Sequence, residues 1–268
     1  MRLASSGNAY CLWLPVDPEQ ISIPVAIWAY CGPPPGPGEL WTQWNFDPWL
    51  LLAFCGAIWL WQARMPIATP AARRNFAAAL TLLAVAFVSP LCAATTALFS
   101  ARVLHHVLIV AMVAPLLALA LPAQRAPANP TGLPLLAATA ALYLWHAPPL
   151  YAWALADTGV YWFMQLSLLA SATVFWRAVL APRTAPAVAL LAIVASAGLM
   201  GMLGALLTFA PEPLYVAHRI APLAFGLSAL EDQRLGGLIM WVPALLPYAA
   251  MAAVTVRRWS AAPPRARA

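Results

Sequence analysis

Charged side chains fall in short clusters along this chain, and long apolar runs separate them. From Pro48 onward the charge-free runs are 48–63, 75–101, 103–124, 126–156, 158–176, 184–211 and 235–256. A membrane-spanning helix takes about 20 mostly apolar residues. Six runs are long enough, and the first reaches that length by recruiting Trp44–Phe46. None shows the strict alternation of an outer-membrane barrel strand. The pattern therefore predicts an all-α polytopic membrane bundle of seven transmembrane helices, near 46–63, 76–94, 103–122, 133–150, 159–177, 187–209 and 236–256. Pro115 in the third helix, and Pro243 and Pro247 in the seventh, free backbone carbonyls and predict kinks. Ala197, Gly201 and Ala205, beside Gly198 and Gly204, form a small-residue stripe on the sixth, which predicts close packing of a neighbouring helix.

The charges orient this bundle. Arg64, Arg73, Arg74, Arg125, Arg177, Arg183, Arg257, Arg258, Arg265 and Arg267 all fall on one face of a seven-helix topology. The positive-inside rule makes that face cytoplasmic, with the N terminus outside and the C terminus inside. All eight acids (Asp17, Glu19, Glu39, Asp47, Asp157, Glu212, Glu231, Asp232) fall on the other. The chain thus divides into an external arm over 1–45, a transmembrane domain over 46–258 and a cytoplasmic tail over 259–268. The arm carries an apolar stretch, Ile21–Tyr30, followed by Pro33, Pro34, Pro35 and Pro37. A degenerate signal, an interfacial segment and an eighth helix remain open for it, and a loosely packed external arm is the expectation. Arg2 alone makes a poor basic start for a signal peptide.

Composition fits the same picture. The 268 residues are 63% hydrophobic and 8% charged, with a mean hydropathy of +0.79. A soluble domain carries roughly 25% charged residues. A soluble enzyme, a nucleic-acid-binding domain and a secreted disulfide scaffold are excluded. The net charge of +6 reads as topology and contact with anionic lipid, with no nucleic acid partner. Cys11, Cys31, Cys55 and Cys92 have no CxxC spacing and define neither a zinc site nor a disulfide framework.

Candidate chemistry gathers at the outer end. His105 and His106 open the third helix, His146 lies near the outer end of the fourth, and His218 is in an outer loop. Cys92 closes the second helix just past Pro90. Imidazole and thiolate donors suit copper, above all Cu(I). Ionisable groups at membrane depth mark function or pair internally. The four histidines are therefore either metal ligands or braces that hydrogen-bond loop carbonyls. Ligands must be deprotonated, so copper binding should weaken as pH falls through the histidine range near 6.5. Arg102, within one turn, opposes a nearby metal charge and could instead pair with Asp157 or Asp232. Asp232 reads either as the cap of the helix that follows it or as part of a docking surface. No nucleophile–base pair, HExxH or CxxCH motif is present, so no enzyme is expected.

Six segments, in order, resemble the CtaG-like cytochrome c oxidase assembly factors. They are WNFDPW (Trp44–Trp49), FVSP (Phe87–Pro90), LFSARVLHHVLIVAMVAPLLALALP (Leu98–Pro122), WHAPPLY (Trp145–Tyr151), LLTFAPEPLY (Leu206–Tyr215) and GLSALEDQRLGGLIMWVP (Gly226–Pro243). The resemblance implies a seven-span bacterial inner-membrane protein that helps mature a haem–copper oxidase by handling copper. Its implied partners are oxidase subunits or other copper chaperones. The family's signature helix often reads His–Met–x–Gln–His; here Arg102 stands for the first His and His105 for the Gln. His106 and His146 therefore carry over as the core pair, with His105 or Cys92 completing the shell. Cys92 stands where the family often has Asp. The competing reading is a transporter of a metal or small molecule, which calls for broken helices and mid-membrane polar groups. Gln165, Ser167, Thr173 and Ser196 are the few such groups in the spans.

Overall fold

The computed structural model describes residues 30–122 and 131–261. Arg125, Arg265, Arg267, Cys11 and the sequence up to residue 29 lie outside the described residues. Among those described, all regular structure is helical: α1 (Pro48–Arg64), α2 (Pro70–Phe87), α3 (Leu91–Ala97), α4 (Phe99–Val107), a π-helical turn (Leu108–Val113), α5 (Ala114–Ala120), α6 (Gly132–His146), α7 (Pro148–Ala156), α8 (Thr158–Val179), α9 (Pro186–Phe209), α10 (Ala229–Trp241) and α11 (Leu245–Ala261).

Proline sets most of these boundaries. Pro48, Pro70, Pro148 and Pro186 each open a helix, where the missing N–H costs nothing. Asp47 caps α1 by accepting from Trp49 N, and Thr69 caps α2 by accepting from Ala72 N. Pro90 ends α2 and bends it 43° from α3. Asn45 repairs that break: its N–H donates to Val88 O and its Nδ2 to Phe87 O. Pro115 cannot donate within its helix, and the wide π-turn stands just before it. Trp176 Nε1 donates to Val110 O inside that turn, 3.0 Å away.

The helical class holds, and four to five of the seven expected spans stand out by length and composition. Seven helical stretches follow the apolar runs, but four helices are long and apolar enough to cross a membrane unaided: Phe99–Ala120, Thr158–Val179, Pro186–Phe209 and Ala229–Ser260. The α2–α3 pair makes a fifth if it is one bent span. Helix α6 has 15 residues, about 22 Å against a hydrocarbon core of about 30 Å. Pro148 cuts it short of the run that predicts it. Helix α1 has 17 residues and ends in Gln62 and Arg64.

Leu191, Val194, Leu206 and Phe209 stand exposed on α9, as do Phe163, Leu166 and Val174 on α8. Such a surface is compatible with lipid and not with water. The closest helix crossing joins α9 to α10, where Gly204 and Gly237 face each other. A Cβ on Gly204 would meet Gly237 O at 2.7 Å. The small-residue stripe thus has its partner.

Tyr30, Cys31 and Asn45 tie the stretch before α1 to the bundle. Tyr30 stacks on Tyr161 and meets Trp162 edge-on, and its hydroxyl donates to Asp47 at 2.6 Å. That bond holds the Asp47 carboxyl below its ordinary range, while burial and Asp47 push the Tyr30 phenol up. Residues 37–39 and 41–44 of the same stretch are exposed. Helix α11 runs on to Ala261.

A buried arginine and histidine cluster as the candidate functional site

All six motif segments contribute to one end of the bundle, Leu98–Pro122 by its N-terminal part. Gly226, at φ 74°, takes a left-handed turn open to glycine and leads into Ser228. Ser228, not Asp232, caps α10: Ser228 and Glu231 form a reciprocal capping box. Asp232 is fully buried and caps a different helix. It accepts from Phe99 N at 2.6 Å, from Ser100 N at 3.1 Å and from the Ser100 hydroxyl, at the start of α4. The reading of Asp232 as the cap of its own helix is corrected, because Ser228 holds that place. Gln233 beside it accepts from Leu214 N and donates to Leu207 O, tying down the preceding loop.

Helix α4, so anchored, carries Arg102, His105 and His106 into the core, each with no exposed surface. The His105 and His106 rings have centroids 5.9 Å apart, and His106 meets the His146 ring from α6 at 5.3 Å. His105 turns the other way, edge-on to Phe87 at 4.8 Å. His146 Nδ1 lies 2.7 Å from Leu142 O. A carbonyl only accepts, so that nitrogen carries the proton and Nε2 is left with a lone pair. His146 Nε2 and both His106 nitrogens have no hydrogen-bond partner, while His105 lies against the Ala86 backbone. Gln165 lies beside the Tyr161 hydroxyl.

Arg102 pairs with neither acid expected of it. Asp157 caps α8 by accepting from Val160 N, and Asp232 is committed to α4. The guanidinium lies over the Tyr161 ring, 5.3 Å from its centroid, with the Tyr151 and Tyr161 hydroxyls as its polar neighbours. Its charge acts on the Tyr151 and Tyr161 hydroxyls.

His218 separates from the group. Its ring accepts from the Tyr151 hydroxyl at 2.6 Å through Nε2, and Nδ1 donates to Ala97 O at 3.3 Å. Burial pushes it down to about 4. It is the brace that one sequence reading assigned to all four histidines. Tyr215 adds a second strut, donating to His146 O.

Cys92 is not a free thiol. It forms a disulfide with Cys31, their Cα atoms 5.3 Å apart and 61 residues apart in sequence. The expectation that the cysteines build no disulfide is corrected, and in this oxidised form Cys92 offers no thiolate to a metal. Spacing could not show the pair, because only the packing of the arm against the α2–α3 bend brings the two sulfurs together. Tyr161 and Tyr151 were likewise invisible as neighbours of Arg102. Among the described residues, no three His, Cys, Asp or Glu side chains converge as a ready metal site. The cluster offers instead one close imidazole pair, His106 with His146, and a buried positive charge.

A family model for the cytochrome c oxidase caa3 assembly factors matches residues 52–262. The chain belongs to that family. No curated protein and no solved structure matches it significantly. The match spans α1 to α11 and so includes Arg102 and all four histidines. Membership assigns the assembly of cytochrome c oxidase as the family's role and association with oxidase components as its setting. Tyr30, Cys31 and the WNFDPW residues that stitch the outer end precede the matched region.

Proposed function

We propose that this assembly factor carries copper as cargo to a haem–copper cytochrome c oxidase and holds it between His106 and His146. The carrying observation is the set of orphaned ring nitrogens. His146 Nε2 and both His106 nitrogens are fully buried and unpartnered on rings 5.3 Å apart. Buried polar atoms in folded proteins are nearly always paired, and unpaired ones mark a role. The Leu142 carbonyl orients His146 as an outer-shell partner orients a metal-bound imidazole. His105 is the nearest further donor. The bundle would cross a bacterial inner membrane seven times, the short α1 and α6 included, with the cluster toward the periplasm and the Arg-rich ends in the cytoplasm. It acts as a chaperone without catalysis, among oxidase subunits and other copper chaperones.

The test is copper stoichiometry in folded His106→Ala and His146→Ala proteins. Each should lose most of the bound copper that the parent retains. Equal copper in both variants and the parent removes these residues from any metal site. In cells, deletion should abolish copper-dependent oxidase activity while oxidase polypeptides persist in the membrane. Unchanged oxidase activity in the deletion strain would overturn the proposal.

A further inference from the structure

Arg102 is a charge that the histidine pair does not account for. A sealed guanidinium whose polar neighbours are the Tyr151 and Tyr161 hydroxyls carries a desolvation cost that neutral hydroxyls repay only in part. Asp157 caps α8, and Asp232 caps the first turn of Arg102's own helix and shares Tyr151 as a neighbour without pairing directly with the guanidinium. At the hydroxyl end of the Tyr161 ring, over which Arg102 sits, there is sulfur: Tyr161 Oη is 3.6 Å from Cys31 Sγ.

We propose that Cys31 and Cys92, when reduced, form a second copper site, a two-thiolate Cu(I) site closed by their disulfide, with Arg102 as its counter-ion. Thiolates select Cu(I) over harder cations. The Cα separation of 5.3 Å lets two sulfurs flank one ion. Weak donors already surround them: Asn45 Nδ2 lies 3.8 Å from Cys92 Sγ, and Thr95 Oγ1 lies 4.0 Å from Cys31 Sγ. Cys31 is half-buried and Cys92 fully buried, so a reductant meets Cys31 first.

The chemistry balances. A thiolate of an incoming dithiol attacks Cys31 Sγ; the disulfide bond breaks and its electron pair leaves on Cys92 Sγ. The second thiolate of the reductant resolves the mixed disulfide, which frees Cys31 and leaves the reductant as its own disulfide. One Cu(I) then displaces the two thiol protons and forms a complex with a single negative charge. That charge faces Arg102 across one tyrosine. The site opens in this exchange, and the reverse exchange with the reductant's disulfide, which takes up the two electrons as two thiolates, closes it and releases the ion.

The inference takes its choice of metal from the copper reading above, and its test separates the two. Cys11→Ser and Cys55→Ser remove the other thiols. In that background the full chain in detergent is titrated anaerobically with Cu(I) against a chromophoric chelator, oxidised and after phosphine reduction. The reduced protein should bind one more Cu(I) per chain, with sulfur and not nitrogen neighbours by X-ray absorption. Cys31→Ser/Cys92→Ser should lose that equivalent, and His106→Ala should keep it. If the double variant does not fold, the reduced parent alkylated at both cysteines takes its place. Arg102→Gln should weaken the thiolate site by about tenfold or more. Equal Cu(I) uptake by oxidised and reduced protein, or nitrogen neighbours on the extra ion, overturns the site. Unchanged affinity in Arg102→Gln overturns the counter-ion. Loss of copper in His106→Ala with the reduction-dependent equivalent intact keeps both sites separate.

Discussion

Asp232 accepts three hydrogen bonds at the start of a helix 133 residues earlier in the chain. Two are from backbone N–H groups that α4 would otherwise bury unpaired, and α4 holds Arg102, His105 and His106. Asp232→Ala should therefore cost roughly 2–4 kcal/mol, the loss of a buried charged cap. Thermal unfolding in detergent measures this, and a shift no larger than that of Glu231→Ala, at the exposed capping box, would contradict it. His218 supports the same region. It is buried neutral, with its protonation moved down to about 4 from an ordinary 6.5. The unfolded chain takes up that proton first. Its contribution is complete above pH 6.5 and is lost as pH falls from there toward 4, by up to about 3 kcal/mol. In His218→Asn the slope of the unfolding midpoint across that window should flatten. The histidines themselves were legible from the sequence. Which one is a brace was not, because the Tyr151 hydroxyl and Ala97 carbonyl that satisfy it come from distant segments.

Elements are broken where proline demands it and repaired where a side chain can reach. Asn45 takes up the carbonyls freed at the α2–α3 bend, and Trp176 takes up one in the π-turn. The prolines are readable as kinks, but their repair depends on segments 42 and 66 residues distant. The α9–α10 crossing gives the element-scale prediction. A Cβ on Gly237 would meet Thr208 Oγ1 at 2.3 Å and Gly204 O at 2.5 Å. Gly237→Ala and Gly204→Ala should each destabilise by about 1–3 kcal/mol through overpacking. Gly198, one turn from the same stripe, has nothing within 4 Å of an added Cβ. Gly198→Ala should be neutral or stabilising by up to about 1 kcal/mol. Equal losses at all three positions would show that the stripe acts by something other than close approach.

At the scale of the molecule, the separation of arginines from acids predicts a cytoplasmic loop between α1 and α2. A reporter fused at residue 68 should read as cytoplasmic, as should one fused after the last helix; a periplasmic signal from either would invert the proposed orientation. The sequence by itself determined the helical membrane class, the order of the apolar stretches and the residue types at the outer end. Those follow from hydropathy and from local chain stiffness, which act over a few turns. Only the tertiary structure decided that α1 and α6 are short, that Asp232 serves α4, that Cys92 is bonded to Cys31 and that Arg102 lies against Tyr161 without an acid. Each of these depends on which distant segments meet, and that is settled by side-chain packing and by the satisfaction of buried polar groups, which one-dimensional spacing does not encode.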